Sequence, residues 1–330
     1  ISCSLVGSEM CIRDRYNIYM RTIVINNINK QIYLSTYVFK IFPNLSRGNF
    51  FKALRNKDIK INEKRVNKDI LVNDKDEIKL YISDNILFNL PQKLDYIYED
   101  ENIAVVFKPQ GILSNDETEN SNEPTLDSMV RSKNPEYIIC HRLDRNTAGL
   151  VIFAKNHMAH KCILDGFKNN SITKEYLTYV AGANFEQKEC TLNQYILTNK
   201  RNCISRIYNS NKENLNLKSI TTSFKVIYTN TKRDYAILKV LIHNGKTHQI
   251  RAVLSNISHP IIGDSKYGKN EINKKFKKYK QLLFAIKYTF NFDKSSKLYY
   301  LNQKDIILDK RYYSNFIGDN LWKNFHKYLM

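Results

Sequence analysis

The stretch CHRLDRNTAGLVIFAKN, residues 140–156, decides how this chain is interpreted. Its second half contains Leu150–Ala154, an unbroken apolar run with the length of a buried strand. The segment before this run carries one carboxylate, Asp144, between two arginines. A carboxylate beside a buried strand is costly unless a cation pairs with it. The sequence therefore predicts a charged site at the start of a core strand, centred on Asp144.

Two later segments supply candidate partners for this carboxylate. SITKEYLTYVAG, residues 171–182, is strand-like and contains Tyr176. The second segment is HNGKTHQIRAVLSNISHPIIGDSKYG, residues 243–268. It begins with a glycine turn, continues with alternating polar and apolar residues, and ends with a second glycine turn. Arg251 is its only arginine. Arg251 is thus the predicted partner of Asp144. Taken alone, an aspartate flanked by arginines such as Asp144 is usually a surface ion pair, and Tyr176 fits a packed strand aromatic among the 22 tyrosines.

Together with the K-P-x-G element at Lys108–Gly111, these segments resemble the RluA-type family of pseudouridine synthases. The resemblance covers residues 95–290, and the HRLD, T-H-Q-I-R and H-P-I-x-G-D-x-x-Y-G runs follow in the family's order. It implies an isomerase that flips a uridine out of an RNA and converts it to pseudouridine. Such an isomerisation has no redox change and no group donor, so neither a cofactor nor a metal is expected.

The resemblance also implies roles for individual residues. Asp144 is the expected catalytic carboxylate, Arg251 holds it ionised, and Tyr176 stacks on the flipped base and is the acid/base candidate. Arg142 helps to displace the uridine. The other expected substrate-binding residues are His141, Lys246, Thr247, His248 and Gln249. For His141, a structural hydrogen-bonding role is the alternative.

Two positions depart from the family pattern. The family commonly has Ser where this chain has Ala148, and Arg where it has Lys246, and Lys cannot make the bidentate phosphate contact of Arg. The residues leave three routes open for Asp144, namely addition to the uracil ring, attack on the anomeric carbon, and assistance of elimination at the sugar.

Composition points to a polyanionic partner. The chain has 52 Lys and Arg against 32 Asp and Glu, a net charge of +20, which favours RNA, although a Lys-rich proteome produces the same excess. Its six cysteines lack C-x-x-C spacing, so neither a zinc site nor a disulfide framework is expected. No apolar run reaches the roughly 18 residues of a membrane span. A cytoplasmic protein is therefore predicted.

The chain before residue 95 divides into distinct parts. Residues 1–19 resemble a translated sequencing adapter, so we expect the natural protein to begin at Met20. Residues 20–85 resemble the S-four-type RNA-binding domain; residues 21–85 have 13 Lys and Arg against seven Asp and Glu. The apolar spacing predicts a helix that ends near Pro43. A second helix is predicted to begin after Ser46 as its N-cap and to carry Phe50, Phe51 and Leu54 on one side. Strands are predicted at 59–61 and 77–82.

In this module the expected contacts with RNA phosphates are Arg47, Lys52, Arg55, Lys60 and Lys64, and a merely solvated basic helix is the alternative. Residues 86–95 are predicted to be a linker and 96–330 the catalytic domain. The Lys-rich stretch Lys266–Lys280 is either a solvated loop and helix or a patch that contacts the RNA backbone.

Strands and helices alternate irregularly after residue 123, which favours an α+β class over a doubly wound fold. The expected architecture is a mixed, mainly antiparallel sheet with a central basic cleft, preceded by the small α/β RNA-binding module. The expected substrate is ribosomal RNA of the large subunit. Transfer RNA is the alternative substrate, and a non-catalytic RNA-binding or ribosome-assembly protein is the alternative class.

Overall fold

A computed structural model describes residues 20–91, 93–116, 123–199, 203–212, 215–242 and 245–314. The proposed leader at 1–19 lies outside these residues. The chain forms two compact units. One is formed by the described residues within 1–93 with 123–124, and the other by the described residues within 94–116 and 125–314.

The first unit is a small sheet packed with helices. Its elements are β1 (Arg21–Val24), β2 (Ile32–Tyr33), α1 (Leu34–Ile41), α2 (Arg47–Arg55), β3 (Ile59–Ile61), β4 (Lys64–Val66), β5 (Leu71–Val72), β6 (Glu77–Leu80) and α3 (Asp84–Leu87). The antiparallel sheet has the order β1-β6-β3-β4, and β2 pairs separately with β5. Apolar residues of α1 and α2, including Leu34, Phe50 and Leu54, pack with those of the sheet into one core.

The capping prediction for α2 is confirmed, because the Ser46 hydroxyl accepts a hydrogen bond from the Asn49 backbone N–H at 3.1 Å. The predicted apolar side of this helix is wrong at Phe51, which is 39% exposed while Phe50 and Leu54 are buried. Adjacent helical positions are about 100° apart, so Phe50 and Phe51 cannot both face the core fully.

The predicted boundary at residue 85 is too early. Helix α3 continues into the expected linker, and its Leu87, followed by Phe88, is buried in the core of the first unit. The Phe88 ring lies 5.4 Å from that of Phe42, centroid to centroid, and the Arg21 guanidinium lies over it. A short apolar segment flanked by polar residues therefore closes this core.

The second unit is built on one long sheet. Its strands are β7 (Tyr96–Glu99), β8 (Ile103–Lys108), β9 (Ile138–Ile139), β10 (Ala148–Ala154), β11 (Ile172–Ala181), β12 (Glu189–Asn199), β13 (Ile204–Tyr208), β14 (Lys218–Asn230), β15 (Tyr235–Ile242), β16 (Leu283–Phe290) and β17 (Ile306–Ile307). Its helices are α4 (Leu126–Arg131), α5 (His157–Lys168), α6 (Gln249–Asn256) and α7 (Asn270–Phe276), with short 3-10 turns at Tyr299–Gln303 and Lys310–Tyr312.

The sheet has the order β13-β12-β14-β15-β11-β16-β10-β8-β7, with β17 added on β16 and β9 on β10. Within the described part of the chain, its strands pair antiparallel except for a short parallel contact between β10 and β16. The predicted α+β class with a mixed, mainly antiparallel sheet is confirmed.

Strand β10 is buried on both faces. Leu150 and Ile152 belong to the apolar core on one side of the sheet, whereas Val151 and Phe153 belong to the core on the other. At the start of the strand, Gly149 has a φ of +128°, and a Cβ there would collide with the backbone carbonyl of Ala285 on β16. Glycine thus permits the close parallel approach of the two strands directly after the Asp144 segment.

The polar and apolar alternation through Arg251 does not continue as extended chain. Residues Gln249–Asn256 form helix α6, entered from His248 in the left-handed conformation with a φ of 58°. No helix within the described residues is long and apolar enough to cross a membrane.

Candidate active site

The segment that carries Asp144 connects β9 to β10, and Lys108 fixes it through hydrogen bonds. This lysine is fully buried, and its ammonium donates to the backbone carbonyls of Ile112 at 2.8 Å, Arg145 at 3.0 Å and Pro109 at 3.2 Å. An ammonium has three N–H donors, so these carbonyls match its full capacity. The backbone N–H of Gly111 also donates to the Arg145 carbonyl. The K-P-x-G element therefore fixes the position of the Asp144 segment.

Asp144 meets the partner predicted for it. Arg251 Nη1 donates to Asp144 Oδ2 at 2.9 Å, and Arg251 is buried while Asp144 is partly exposed. The predicted pairing across 107 residues of sequence is therefore present in the structure.

Arg251 also binds a second carboxylate. Its Nε donates to Asp264 Oδ2 at 2.7 Å, and its Nη2 donates to Asp264 Oδ1 at 3.0 Å. Asp264 is fully buried, and its Oδ1 accepts the backbone N–H groups of Lys266 and Tyr267. This bidentate contact fixes the plane of the guanidinium and aims its remaining side at Asp144.

The electrostatics of this pair follow from burial and charge. Burial alone would raise the pKa of Asp264, but the hydrogen bonds and charge of Arg251, with the two backbone N–H groups, hold that pKa below its ordinary value. Burial opposes the charge on Arg251, yet both carboxylates raise the pKa of the guanidinium. Arg251 is therefore a permanent cation between two acids.

His248 occupies the other side of Asp144. Its Nε2 lies 3.8 Å from Asp144 Oδ2, and its Nδ1 lies 3.0 Å from the Tyr267 hydroxyl. That hydroxyl accepts the backbone N–H of Ser205 on β13 at 2.6 Å. Burial lowers the pKa of His248, against the opposing charge of Asp144. The histidine is thus anchored through Tyr267 to the β12–β13 hairpin.

Strand β11 contributes Tyr176 and Lys174, which lie two positions apart on one side of the strand. The Tyr176 ring is 6% exposed, and its hydroxyl has no hydrogen-bond partner among the described residues. Burial, followed by the charge of Asp144, raises the pKa of Tyr176 well above its ordinary value, so the phenol stays protonated at neutral pH. It is chemically suited to donate a proton or a hydrogen bond rather than to act as a phenolate base.

Two of the predicted substrate-binding residues, Gln249 and His141, make hydrogen bonds within the protein. Gln249 is 2% exposed, and its amide nitrogen donates to the Thr221 carbonyl and the Thr222 hydroxyl while its oxygen accepts from the Lys246 backbone N–H. Both of its N–H groups are therefore committed within the protein, although Gln249 also lines the pocket. Its observed function is to hold the loop before α6.

His141 is the second such residue. Its Nε2 accepts the backbone N–H of Ile152 at 3.1 Å and lies 3.0 Å from the Tyr288 hydroxyl. Burial, with a smaller effect of the charge on Lys174, lowers the pKa of His141 to about 3. The ring is neutral at physiological pH and ties the Asp144 segment to β10 and β16, in agreement with its alternative structural role.

All of the predicted catalytic and substrate-binding residues line one pocket in the second unit, namely His141, Arg142, Asp144, Tyr176, Lys246, Thr247, His248, Gln249 and Arg251. Lys174, which carried no role in the sequence interpretation, lines it too. Arg142 and Lys246 are exposed at this pocket. Among its described lining residues, Asp144 is the only acid, against Arg142, Lys174, Lys246 and Arg251 as bases.

The RNA-binding candidates of the first unit are placed differently. Arg47, Lys52 and Arg55 are exposed on α2, and Lys64 is exposed on β4. Lys60 on β3 is half-buried, and its ammonium lies 3.5 Å from the Glu63 carboxylate and over the Tyr81 ring. Lys60 thus has an anionic partner within the unit.

Comparison with known proteins agrees with this geometry. Residues 102–256 match the family described as RNA pseudouridylate synthase. An uncharacterized RNA pseudouridine synthase of Mycoplasma capricolum subsp. capricolum is 32% identical over 318 residues, which cover 87% of this chain and 97% of the relative. The ribosomal large subunit pseudouridine synthase C of Rickettsia bellii is 28% identical over 72% of this chain and 83% of its own length.

The chain belongs to the RluA-type family of RNA pseudouridine synthases. It is an isomerase. The fold is shared with human RNA pseudouridylate synthase domain containing 1, with a TM-score of 0.52 and 24% identity over 66% of this chain and 84% of that one.

Membership of this family was predicted from the sequence, but several residues of the pseudouridine synthase pocket were not. Asp264, which supports the pocket through Arg251, follows a glycine, and this pattern is typical of a turn. Lys174 carried a usable signal, since it lies two residues from Tyr176 in a predicted strand and so shares its face. The described residues contain no group of His, Cys, Asp and Glu that fits a metal ion.

Proposed function

We propose that this pseudouridine synthase isomerises specific uridines of large-subunit ribosomal RNA, with Asp144 as its catalytic carboxylate. The observation that carries the proposal is the placement of Asp144 in the basic pocket, partly exposed and bonded at 2.9 Å to a buried Arg251. A carboxylate that is accessible and held in place by a buried guanidinium is positioned to act as a nucleophile. The name of the Rickettsia bellii relative supports the ribosomal substrate.

The reaction requires the target base to leave its helix. Unstacking costs a few kcal/mol, and stacking on an aromatic ring returns about 1–3 kcal/mol. Tyr176 supplies such a ring at the pocket wall, and Arg142 is exposed where a flipped nucleotide would enter. In the isomerisation, the bond between C1′ and N1 breaks, the uracil rotates, and a bond between C1′ and C5 forms. The proton lost from C5 is balanced by the one gained at N1.

Asp144 would act in this sequence by one of the three routes that the residue types allow, while Arg251 keeps it charged and oriented. Tyr176, as a protonated phenol with no partner for its hydroxyl among the described residues, is suited to deliver or steer a proton at the rotating base. The central basic cleft is supported by the excess of cations around the pocket.

The deciding experiment uses the full chain with unmodified transcripts of bacterial large-subunit ribosomal RNA and of transfer RNAs, followed by mapping of pseudouridine. We expect the wild type to modify defined ribosomal uridines and Asp144→Asn to bind the RNA without forming any product. Asp165→Asn, on the exposed face of α5, is the matched control and should behave as wild type. Equal activity of Asp144→Asn and wild type would refute the catalytic role. Modification of transfer RNA alone would replace the ribosomal substrate.

We further propose that the first unit grips RNA phosphates through Arg47, Lys52, Arg55 and Lys64, with Lys60 as a weaker contributor because Glu63 pairs with it. Removing one cation that binds a phosphate should reduce the slope of log affinity against log salt by about 0.7–0.9. The test compares the salt dependence of RNA binding for the wild type and for the combined Arg47→Gln, Lys52→Gln and Arg55→Gln variant. An unchanged slope would favour a merely solvated helix and a non-binding role.

A further inference from the structure

Lys174 is a lysine for which the proposed chemistry has no task. It lies on β11, in register with Ile242 of β15 on one side and Tyr288 of β16 on the other. Its side chain is mostly enclosed and lines the same pocket as Asp144. Lys174 is therefore part of the wall of the pocket that contains Asp144.

Within the part of the chain that the structure describes, this ammonium has no anionic partner. Among the described residues, no carboxylate, carbonyl or hydroxyl lies within hydrogen-bond or ion-pair distance of Nζ. The contacts it does make are with a ring and a glycine. Nζ lies 4.3 Å from the centroid of Phe167 on α5, and a Cβ added at Gly245 would lie 3.2 Å from it.

Buried lysines usually have partners, and this protein follows that rule elsewhere. Lys108 has three carbonyl acceptors, and Lys239 on the neighbouring β15 lies 2.6 Å from the carboxylate of Glu175. Burial lowers the pKa of Lys174 to about 8, with no charged group offsetting it. The side chain is still mainly protonated at neutral pH, so it is a desolvated cation with no counter-charge within ion-pair distance among the described residues, and an anionic ligand would stabilise it.

We propose that the Lys174 ammonium binds the backbone phosphate flanking the target uridine and holds the flipped nucleotide in position beside Asp144. This inference rests on the proposed function. A phosphodiester carries a permanent charge and so balances a desolvated ammonium, whereas a neutral uracil carbonyl would leave it unbalanced. Arg251 is less suited to this task, because Asp144 and Asp264 take three of its five N–H donors and already balance its charge. Gly245 keeps the space beside Nζ open for a phosphate oxygen.

Since the charge of a phosphate is the same before and during the reaction, Lys174 is a positioning residue whose loss should weaken substrate binding rather than the chemical step. Lys174→Met removes the charge while keeping an unbranched side chain of similar length. We expect it to raise KM for a mapped RNA substrate about tenfold or more, as for loss of one charge-assisted hydrogen bond, with kcat unchanged. Lys174→Arg keeps a cation and should recover part of the loss.

The matched control is Lys225→Met, which removes an exposed lysine of β14 paired with Glu189 at 3.4 Å. It should leave KM unchanged, which separates a local contact from a general loss of positive charge. Circular dichroism of each variant checks folding.

The test that identifies the phosphate is a two-way cycle. A single neutral methylphosphonate is placed at the linkage flanking the target uridine, and wild type and Lys174→Met are each assayed on the modified and unmodified RNA. We expect the neutral linkage to weaken binding to the wild type about tenfold and to cost the variant nothing further. Fully additive effects, or a fall in kcat with unchanged KM, would overturn the proposal. The RNA with the neutral linkage is also assayed with the wild type, so the test remains informative even if Lys174→Met does not fold.

The two proposals fail in different ways. If the wild type forms no pseudouridine in any RNA, the proposed function fails. If the wild type is active but the cycle is additive, only the role of Lys174 fails.

Discussion

Replacing Asp264 by Asn tests whether the buried carboxylate that Arg251 binds from behind is essential to the site. Asp264 Oδ1 accepts three of the bonds to this carboxylate, from Arg251 Nη2 and the backbone N–H groups of Lys266 and Tyr267, and an amide oxygen can keep all three. Oδ2 accepts the fourth, from Arg251 Nε at 2.7 Å. In Asp264→Asn the amide NH₂ group would face the Arg251 Nε–H. Both groups are hydrogen-bond donors, so the strong hydrogen bond is lost and the two groups repel each other.

The size of the effect follows from these contacts. Breaking a buried ion pair costs about 3–5 kcal/mol, and because Asp144 still pairs with Arg251, we expect the lower end, about 3 kcal/mol of unfolding free energy. For a unit of this size that corresponds to a fall in Tm of about 6–12 °C. The loosened guanidinium should also misplace Asp144, and a displacement of about 1 Å lowers the rate of pseudouridine formation about 100-fold.

The assay is thermal and urea unfolding at pH 7 followed by circular dichroism, together with a single-turnover rate. Asp305→Asn is the control, since Asp305 pairs with Lys287 at 2.7 Å but is 45% exposed, and such a pair contributes at most about 1 kcal/mol. If both variants lose stability equally and slightly, the argument from the buried pair is refuted.

The pH dependence of the same pair has a definite sign. The pKa of Asp264 is lowered in the folded protein, so its contribution to stability is present above the ordinary value of 3.8 and is lost as the pH falls below it. The difference between wild type and Asp264→Asn should therefore persist at neutral pH and narrow below pH 3.8.

Three further predictions concern residues around Asp144. His141 has its pKa lowered from 6.5 to about 3, so the wild type should lose stability as the pH falls through this range, by about 1.4 kcal/mol per pH unit. Urea unfolding between pH 7 and 4 should show a flatter dependence for His141→Asn, and parallel curves would contradict the assignment. Lys108→Met removes the donor to the Ile112 and Pro109 carbonyls, while the Arg145 carbonyl keeps the Gly111 N–H. It should lower the unfolding free energy by about 3 kcal/mol, measured by urea unfolding; a loss below about 1 kcal/mol would show that water replaces the ammonium. Tyr176→Phe removes no hydrogen bond within the described residues, so stability should stay within about 0.5 kcal/mol. Its rate of pseudouridine formation should fall at least about 100-fold if the phenol transfers a proton, and an unchanged rate would reduce Tyr176 to a stacking surface.

The pairing of Asp144 with Arg251 could be predicted because it follows from a physical necessity. A carboxylate next to a buried strand needs a cation, and the downstream segment offered a single arginine. The same reasoning could not find Asp264. An aspartate after a glycine is as typical of a surface turn as of a buried site, and only the folded chain shows that α6 and the following turn place it behind Arg251.

Residues that act through the backbone were also beyond prediction. The functions of Lys108 and Gln249 depend on which carbonyl and N–H groups lie within about 3 Å of them, and those distances are set by tertiary packing. Strand β10 shows the opposite case. Its continuous apolar run needs no tertiary information, because a strand buried on both faces has no polar side to alternate with.

The two carboxylates bonded to Arg251 also determine which cations of the pocket remain available to bind RNA. One guanidinium bonded to both Asp144 and Asp264 gives the triad a formal net charge of −1, so Arg251 contributes no surplus positive charge for RNA. The attraction of a polyanion must then come from Arg142, Lys174 and Lys246, which line the same pocket. On the proposed function, Arg251 orients Asp144 from behind, while separate cations contact the RNA. This division lets one pocket attract phosphates and still leave Asp144 accessible.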